Sequence, residues 1–255
     1  MSAELSQLVQ ACQTLLTPER FKDYGPNGLQ VEGKAQVDVL ISGVTASKAL
    51  IEAAIDAKAD AILVHHGLFW RGQEGTVTGW MKQRLRLLLA HDISLLAYHL
   101  PLDAHPEWGN NAQLGRRLGW RADSQFGEQQ LGCLGQAADD TVWPNAQALA
   151  AHLQQGLGRA PVWVGAEDVT RPIRRVAWCS GGAQSYFEAA IAAGADAFVT
   201  GEISEPQAHL ARETGVAFFA CGHHATERYG APAVAAHVAA QLGLVHRFID
   251  IDNPA

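Results

Sequence analysis

Residues 59–67 have the sequence Ala59-Asp60-Ala61-Ile62-Leu63-Val64-His65-His66-Gly67. The short apolar run predicts a buried strand, and the glycine after the two histidines allows the chain to turn. In open α/β sheets, ligands lie at the carboxyl ends of strands. Two adjacent histidines at such an end can each offer an imidazole nitrogen to a metal, and as neighbours they suit two ions better than one. The alternative is a pair of surface histidines in a loop.

The sequence around this stretch predicts an α/β fold. A strand at residues 37–44 leads into a helix from Ala46 and then into the strand that ends at His65. Because a helix joins them, the two strands should be parallel. An amphipathic helix is predicted at residues 5–16, whereas residues 23–33 are rich in Gly, Pro and Asn and predict a loop. Within this loop, residues 25–30 could line a site or form a plain turn.

A ten-residue match indicates that the two halves of the chain are related. Residues 52–61 match residues 188–197 at eight of ten positions, and the match runs from a predicted helix into a predicted strand. The chemistry repeats as well, because a later strand of each half is followed by His99-x-x-x-Asp103 or by His223-x-x-x-Glu227. We therefore expect two similar α/β lobes, residues 1–124 and 125–255, that face each other across a shared cleft.

Composition and charge argue against several classes of protein. The formal net charge of -7 does not favour a broad nucleic-acid surface. No run approaches the roughly 20 apolar residues of a membrane span, and the first residues lack a signal-peptide pattern. The cysteines show no zinc or redox spacing, so free thiols and a cytoplasmic location are expected. They are Cys12, Cys133, Cys179 and Cys221.

Three predicted strand ends supply candidate metal ligands. Nitrogen and carboxylate donors without thiolates suit two divalent ions such as zinc, iron or manganese, which the carboxylates of Glu227 and Asp103 could bridge. A divalent ion lowers the pKa of the water that it binds to about 7, so hydrolysis is the natural reaction class. The candidates are His65, His66, His99, Asp103, His223, His224 and Glu227.

Some polar residues allow more than one interpretation. His99 could ligate a metal or orient a ligand residue, and His224 is expected to support a ligand or to face the substrate. Glu202 and His209 could contact substrate or be solvated helix residues. Ser180-Gly181-Gly182 could hold an anion on backbone N–H groups or serve only close packing.

Four segments together resemble the Nif-three-like dinuclear metal-binding family, and most of all its short bacterial YbgI branch. The resemblance spans nearly the whole chain, and members of this family are often named type-2 GTP cyclohydrolase homologues. The segments are Val64-His65-His66-Gly67-Leu68-Phe69-Trp70, Tyr98-His99-Leu100-Pro101-Leu102-Asp103-Ala104-His105-Pro106, Gly109-Asn110-Asn111 and Gly222-His223-His224-Ala225-Thr226-Glu227.

The resemblance implies metal ligands at His65, His66, Asp103, His223 and Glu227, in agreement with the residues chosen above. It also implies two similar lobes and a ring-shaped homohexamer, a trimer of dimers.

The function that follows is a dinuclear metal-dependent hydrolase acting on a nucleotide-like substrate. Ring opening of GTP with release of formate is the reaction that the family name suggests, with His99 or His224 as the proton shuttle. The alternative is a metal-stabilised ring that binds a partner and catalyses nothing.

Overall fold

The computed structural model describes residues 2–165 and 170–255. Contacts divide the chain into two compact units. The first unit comprises Met1–Gly109 and Arg228–Asp252, and the second comprises Asn110–Glu227 and Asn253–Ala255. Each unit contains helices and a sheet, so the predicted α/β fold class is confirmed.

The strands and helices are numbered in chain order. The strands are β1 (Ala3–Glu4), β2 (Gly28–Val31), β3 (Gln36–Val37), β4 (Val39–Thr45), β5 (Ala61–His66), β6 (Ser94–Ala97), β7 (Trp120–Phe126), β8 (Gly132–Ala137), β9 (Val162–Val164), β10 (Val176–Trp178), β11 (Ala197–Thr200), β12 (Ala217–Ala220) and β13 (Val245–Phe248). The α-helices are α1 (Leu5–Leu16), α2 (Lys48–Asp56), α3 (Gly79–Ala90), α4 (Leu100–Ala104), α5 (Asn110–Arg117), α6 (Ala146–Leu157), α7 (Phe187–Ala192), α8 (Glu205–Thr214), α9 (His223–Glu227) and α10 (Gly230–Leu242). Short 3₁₀ turns lie at Pro18–Arg20, Glu128–Gln130 and Gln184–Tyr186.

The first unit is built on a sheet with the strand order β13-β4-β5-β6-β2. Strands β4, β5 and β6 are parallel, as predicted for the βαβ unit that contains α2. Their residues are apolar on both faces because both faces are covered by helices. Helices α1 and α10 pack on Leu40, Leu63 and Leu96, and helices α2 and α3 pack on the opposite face.

One part of the predicted loop at residues 23–33 is a strand instead. Residues Gly28–Val31 form β2, which pairs antiparallel with β6 at the edge of the sheet and has an irregular register between Leu29 and Val31. The loop prediction followed turn-forming residues, but a four-residue edge strand needs only one paired side and tolerates them.

The second unit is built on a sheet with the strand order β7-β8-β10-β11-β12-β9. Strands β10, β11 and β12 are parallel, and the others join antiparallel at the two sides. Aromatic side chains fill much of the core, with Phe187 packing edge-to-face on Phe218 at 5.0 Å between ring centroids. The carboxyl end of β12 leads directly into α9, which carries His223 and Glu227.

The repeat that the sequence suggests extends to the hydrogen bonds of single residues. In the first unit the Asp60 carboxylate accepts the backbone N–H groups of Asp38 at 2.9 Å and Val39 at 3.0 Å. In the second unit Asp196 accepts those of Arg174 at 3.0 Å and Arg175 at 2.8 Å. Each aspartate therefore holds the backbone at the start of the first parallel strand of its unit. The two matching aspartates of the sequence repeat have the same structural role.

The predicted boundary lies between residues 124 and 125, whereas the contacts divide the chain after Gly109 and again after Glu227. That boundary falls inside β7, which pairs along its length with β8. Residues 228–252 also return to the first unit, where β13 pairs with β4. The five interior positions of β7 are exposed and, apart from Ala122, polar, which is typical of an edge strand. The apolar pattern that identifies buried strands is therefore missing there.

Two further expectations concern cysteines and membrane spans. All four cysteines lie within the described residues and are buried, reduced thiols, as predicted. No helix in residues 2–165 or 170–255 has the length and hydrophobicity needed to cross a bilayer.

Candidate metal centre

His65 lies at the end of β5 with its ring orientation fixed. Its Nδ1 lies 3.1 Å from the backbone carbonyl oxygen of Tyr98. Because a carbonyl can only accept, Nδ1 carries the hydrogen and donates it, and Nε2 keeps the lone pair that a metal needs. Nε2 lies 3.6 Å from Oδ1 of Asp103. A histidine held through Nδ1 by a backbone carbonyl is typical of metal ligands.

His66 and His99 complete a cluster of three imidazoles in the first unit. Nδ1 of His66 lies 3.1 Å from the hydroxyl oxygen of Thr45, which leaves Nε2 as the nitrogen for a metal. One nitrogen from each of His65, His66 and His99 lies within 4.8 Å of the other two. The predicted strand-end cluster is therefore present in this unit.

His99 is held by Asp23, which the sequence analysis did not identify, and by Asn27, which lies in the segment 25–30 that could line a site or form a plain turn. Its Nδ1 donates a hydrogen bond of 2.6 Å to the carboxylate of Asp23, and its backbone N–H donates to the side-chain oxygen of Asn27 at 2.7 Å. Asp23 also accepts from the backbone N–H of Leu100 and from the amide of Asn27, each at 2.9 Å. In the sequence, the only signal for Asp23 is that it lies four residues before Asn27, with Gly25-Pro26 between them.

These bonds keep Asp23 ionised. Burial of the carboxyl group opposes ionisation, but hydrogen bonds from His99 and Asn27 outweigh it and lower the pKa of Asp23 to about 2. An ionised carboxylate on Nδ1 holds the imidazole of His99 in one tautomer and directs Nε2 away from Asp23.

Asp103 is placed by the short helix α4. Its backbone N–H donates to the carbonyl oxygen of His99 at 3.2 Å, one helical turn earlier. Pro101 suits the first turn of such a helix because its missing N–H needs no partner there. Asp103 is buried beside His65.

In the second unit, His223 lies between two carboxylates. Nδ1 is 2.6 Å from Oε1 of Glu202, and Nε2 is 3.1 Å from Oε2 of Glu227. Burial lowers the pKa of His223, but Glu227 and then Glu202 overcome it and raise the pKa to about 9. A proton and a metal ion are alternatives at Nε2, so metal binding there must displace the proton.

Glu202 therefore has a more specific position than the sequence suggested. It holds Nδ1 of His223 rather than being an isolated solvated residue. His209, by contrast, forms an exposed pair with Glu205 at 2.8 Å on the surface of α8, so the solvated interpretation applies to it.

His224 and the glycines after β10 lie differently from the ligands. His223 and Glu227 are four residues apart and share one face of α9, whereas His224 lies about 100° further round the helix. His224 is buried, and its backbone N–H donates to the carbonyl oxygen of Ala255 at 3.1 Å.

The N–H groups of Ser180 and Gly181 donate to Asn111 and Thr226 side-chain oxygens, at 2.8 and 2.9 Å. The close-packing interpretation of Ser180-Gly181-Gly182 is thus favoured over an anion site.

Gly181 provides a test of the Glu227 position. A Cβ atom at Gly181 would overlap Oε1 of Glu227, and the glycine has a φ of +68°. A Cβ at Gly182 would make only ordinary contacts, the nearest at 3.5 Å from Glu202. We expect Gly181→Ala to displace the Glu227 carboxylate and to speed the loss of metal during dialysis against a chelator, with Gly182→Ala as the matched control. Equal metal retention in the two variants, both folded by circular dichroism, would contradict the close packing of Gly181 on Glu227.

The donor atoms of both units fit divalent first-row metals. The units offer imidazole nitrogens and carboxylate oxygens at the carboxyl ends of their parallel strands, and the Nδ1 atoms lie against carbonyl, hydroxyl or carboxylate oxygens as metal-binding histidines require. A thiolate ligand is disfavoured at Cys221, since burial raises the pKa of that thiol to about 12.

Comparison with known proteins identifies the family. A family model described as Duf34/NIF3 (NGG1p interacting factor 3) matches residues 3–254. The chain belongs to the DUF34/NIF3 family. The family resemblance predicted from the sequence is thereby confirmed.

Relatives within the DUF34/NIF3 family share the whole length of the chain. A Pseudomonas aeruginosa protein named GTP cyclohydrolase 1 type 2 homolog is 50% identical over 259 residues, and the alignment covers 100% of both chains. A Neisseria meningitidis serogroup A protein of the same name is 53% identical over 247 residues, 96% of each chain.

Solved structures of similar proteins have the same fold. A protein titled ybgI, of unknown function, superposes with a TM-score of 0.94 at 44% identity, over 99% of this chain and 100% of that one. A protein from Thermus thermophilus superposes with a TM-score of 0.88 at 34% identity, over the same shares.

Proposed function

We propose that this DUF34/NIF3 protein is a dinuclear metal-dependent hydrolase that acts on a nucleotide-like substrate. Its ligands are His65, His66 and Asp103 from the first unit and His223 and Glu227 from the second. The single observation that best supports the proposal is His65, whose Nδ1 donates to the Tyr98 carbonyl while Nε2 lies 3.6 Å from the Asp103 carboxylate. The cleft between two lobes that the sequence predicts is part of this proposal.

The metals of the proposed site are two divalent ions, zinc, iron or manganese. Bound ions would supply Lewis acidity and would lower the pKa of water to about 7. The protein's own part is orientation and proton transfer. Asp23 holds His99 so that Nε2 can accept or donate a proton, which is a general acid–base role. His224 is the second candidate for that role.

The names of the relatives support the proposed substrate class. The P. aeruginosa and N. meningitidis proteins are named as GTP cyclohydrolase homologues. Hydrolytic opening of the guanine imidazole ring with release of formate is therefore the first reaction to test. We further propose that the protein works in the cytoplasm as a homohexamer, a trimer of dimers, which light scattering after size-exclusion chromatography would measure.

The deciding experiment combines metal analysis with a substrate panel. Freshly purified protein is analysed for bound elements, and formate release from GTP and other nucleotides is compared between wild type and His66→Ala. We expect His66→Ala to lose metal and most of the activity because it removes a ligand, whereas His91→Ala, an exposed histidine of the same unit, should retain both. Equal activity in wild type and His66→Ala across the panel would count against the hydrolase.

A second candidate function is a metal-stabilised adaptor without turnover. The description of the matching family model, NGG1p interacting factor 3, favours it because that name denotes protein interaction. Full metal occupancy together with no formate or phosphate release from any nucleotide in the panel would support this alternative.

A further inference from the structure

The two repeats differ most in the loop that follows their second parallel strand. Between β11 and α8 the second unit has four residues, 201–204, whereas between β5 and α3 the first unit has twelve, 67–78. The shorter loop already joins strand to helix, so the longer one is not needed for the connection. Long loops beside a strand end that carries candidate ligands are commonly functional.

The start of the long loop is fixed to the segment that contains Asp23. The backbone N–H of Arg71 donates to the carbonyl oxygen of Tyr24 at 2.6 Å, and Nη2 of Arg71 donates to the carbonyl oxygen of Asp23 at 2.6 Å. Gly25 packs so closely that a Cβ there would overlap the carbonyl oxygen of Phe69. Tyr24 and Arg71 are therefore held in defined positions.

The fixed residues place aromatic rings around the imidazoles. The Trp70 ring is perpendicular to that of His99, with centroids 5.0 Å apart, and lies 5.9 Å from that of His66. The Tyr24 ring meets His99 edge-to-face at 6.0 Å, and the Arg71 guanidinium lies over Tyr24 at 5.7 Å. Tyr24, Trp70 and Arg71 are called the Tyr24 platform below.

Tyr24 and Arg71 of the platform are exposed to solvent, and Trp70 is half-buried. Tyr24 is 56% exposed, although burying its ring would be favourable in folding. An exposed aromatic ring next to candidate catalytic groups, on a backbone that hydrogen bonds fix, is typical of binding sites. In the second unit, by contrast, the residues that lie against His223 or Glu227 include the glycines Gly181, Gly182 and Gly201.

We propose that the Tyr24 platform is the subsite that binds the planar base of a nucleotide, a proposal that rests on the proposed function. Any of the bases can stack on an aromatic side chain because every base has a π-face. Arg71 uses one N–H group on Asp23, and its other N–H groups can donate to an oxygen of the base or of a phosphate. Arg71 supplies a positive charge at the platform, which favours an anionic nucleotide in a chain whose net charge is -7.

The test measures binding of GTP, GMP and inorganic triphosphate to the metal-containing protein by equilibrium dialysis. We expect Tyr24→Ala to raise the Kd for GTP and GMP by about tenfold or more, and Tyr24→Phe to leave it within about threefold, because the phenyl ring still stacks. Binding of inorganic triphosphate and the metal content should not change in Tyr24→Ala. Trp80→Ala, which removes another exposed aromatic ring on α3, is the control and should bind like wild type.

The possible results separate this inference from the proposed function. The subsite is overturned if Tyr24→Ala binds GTP as tightly as wild type, or if the wild type binds no nucleotide more tightly than triphosphate. Binding that depends on Tyr24 without formate release would support the subsite and contradict the cyclohydrolase reaction. Formate release with the same KM in wild type and Tyr24→Ala would support the cyclohydrolase reaction and contradict the subsite.

Discussion

Replacing Glu227 with alanine should remove at least one divalent ion from each chain. The Glu227 carboxylate is buried, it lies 3.1 Å from Nε2 of His223, and its two oxygens suit it to bridge two ions. Alanine would leave that part of the site with an imidazole and no bridging acid. Elemental analysis of the purified variant, expressed as metal per protein chain, measures the effect.

The control for Glu227→Ala is Glu213→Ala, which removes an exposed glutamate from α8 of the same unit. This variant should keep the metal content of the wild type. If Glu227→Ala and Glu213→Ala contained equal metal, Glu227 would not be a ligand, and the proposed dinuclear site would lose its bridging group.

Replacing Asp23 with alanine should lower kcat by about a hundredfold with little change in metal content, because general acid–base catalysis contributes factors of this size. Asp23 does not reach the reacting atoms in this proposal; it is a positioning residue that holds the Nδ1 hydrogen of His99. Without it, the imidazole can adopt either tautomer and rotate. Formate release gives kcat and KM, and nitrogen NMR of the imidazole gives the tautomer.

The matched control is Asp56→Ala, an exposed aspartate at the end of α2. A purely structural role for Asp23 would lower stability and leave the His99 tautomer and the kcat of the folded fraction unchanged. A single Nδ1–H tautomer in both wild type and Asp23→Ala would therefore contradict the positioning role.

Much of the fold could be predicted because strong local patterns coincide with it. The apolar spacing in residues 5–16 gives α1 with the same limits, and the run before His65 gives β5. The repeat is visible in the sequence because both copies form a helix followed by a strand. The aspartates at 60 and 196 also accept equivalent hydrogen bonds in the two units. The apolar patterns depend on neighbouring residues, and the repeat depends on the likeness of two segments, so a single sequence displays both.

The contacts that sequence reasoning did not predict join residues that are far apart in the sequence. Asp23 lies 76 residues from the His99 that it holds, and Glu202 lies 21 residues from His223. Neither acid has a local pattern that names its partner, since a carboxylate in a loop is usually solvated. The edge strand β7 was missed because its exposed, polar interior lacks the apolar signal that a buried strand carries.

The discontinuity of the first unit determines when each part can fold during synthesis. Its sheet lacks β13, and its core lacks α10, until the ribosome has added residues 228–252. Among the described residues, the sheet of the second unit has all its strands by residue 220 and is followed by α9, which ends at residue 227. The nascent chain can therefore form this sheet and α9 before the sheet of the first unit gains β13.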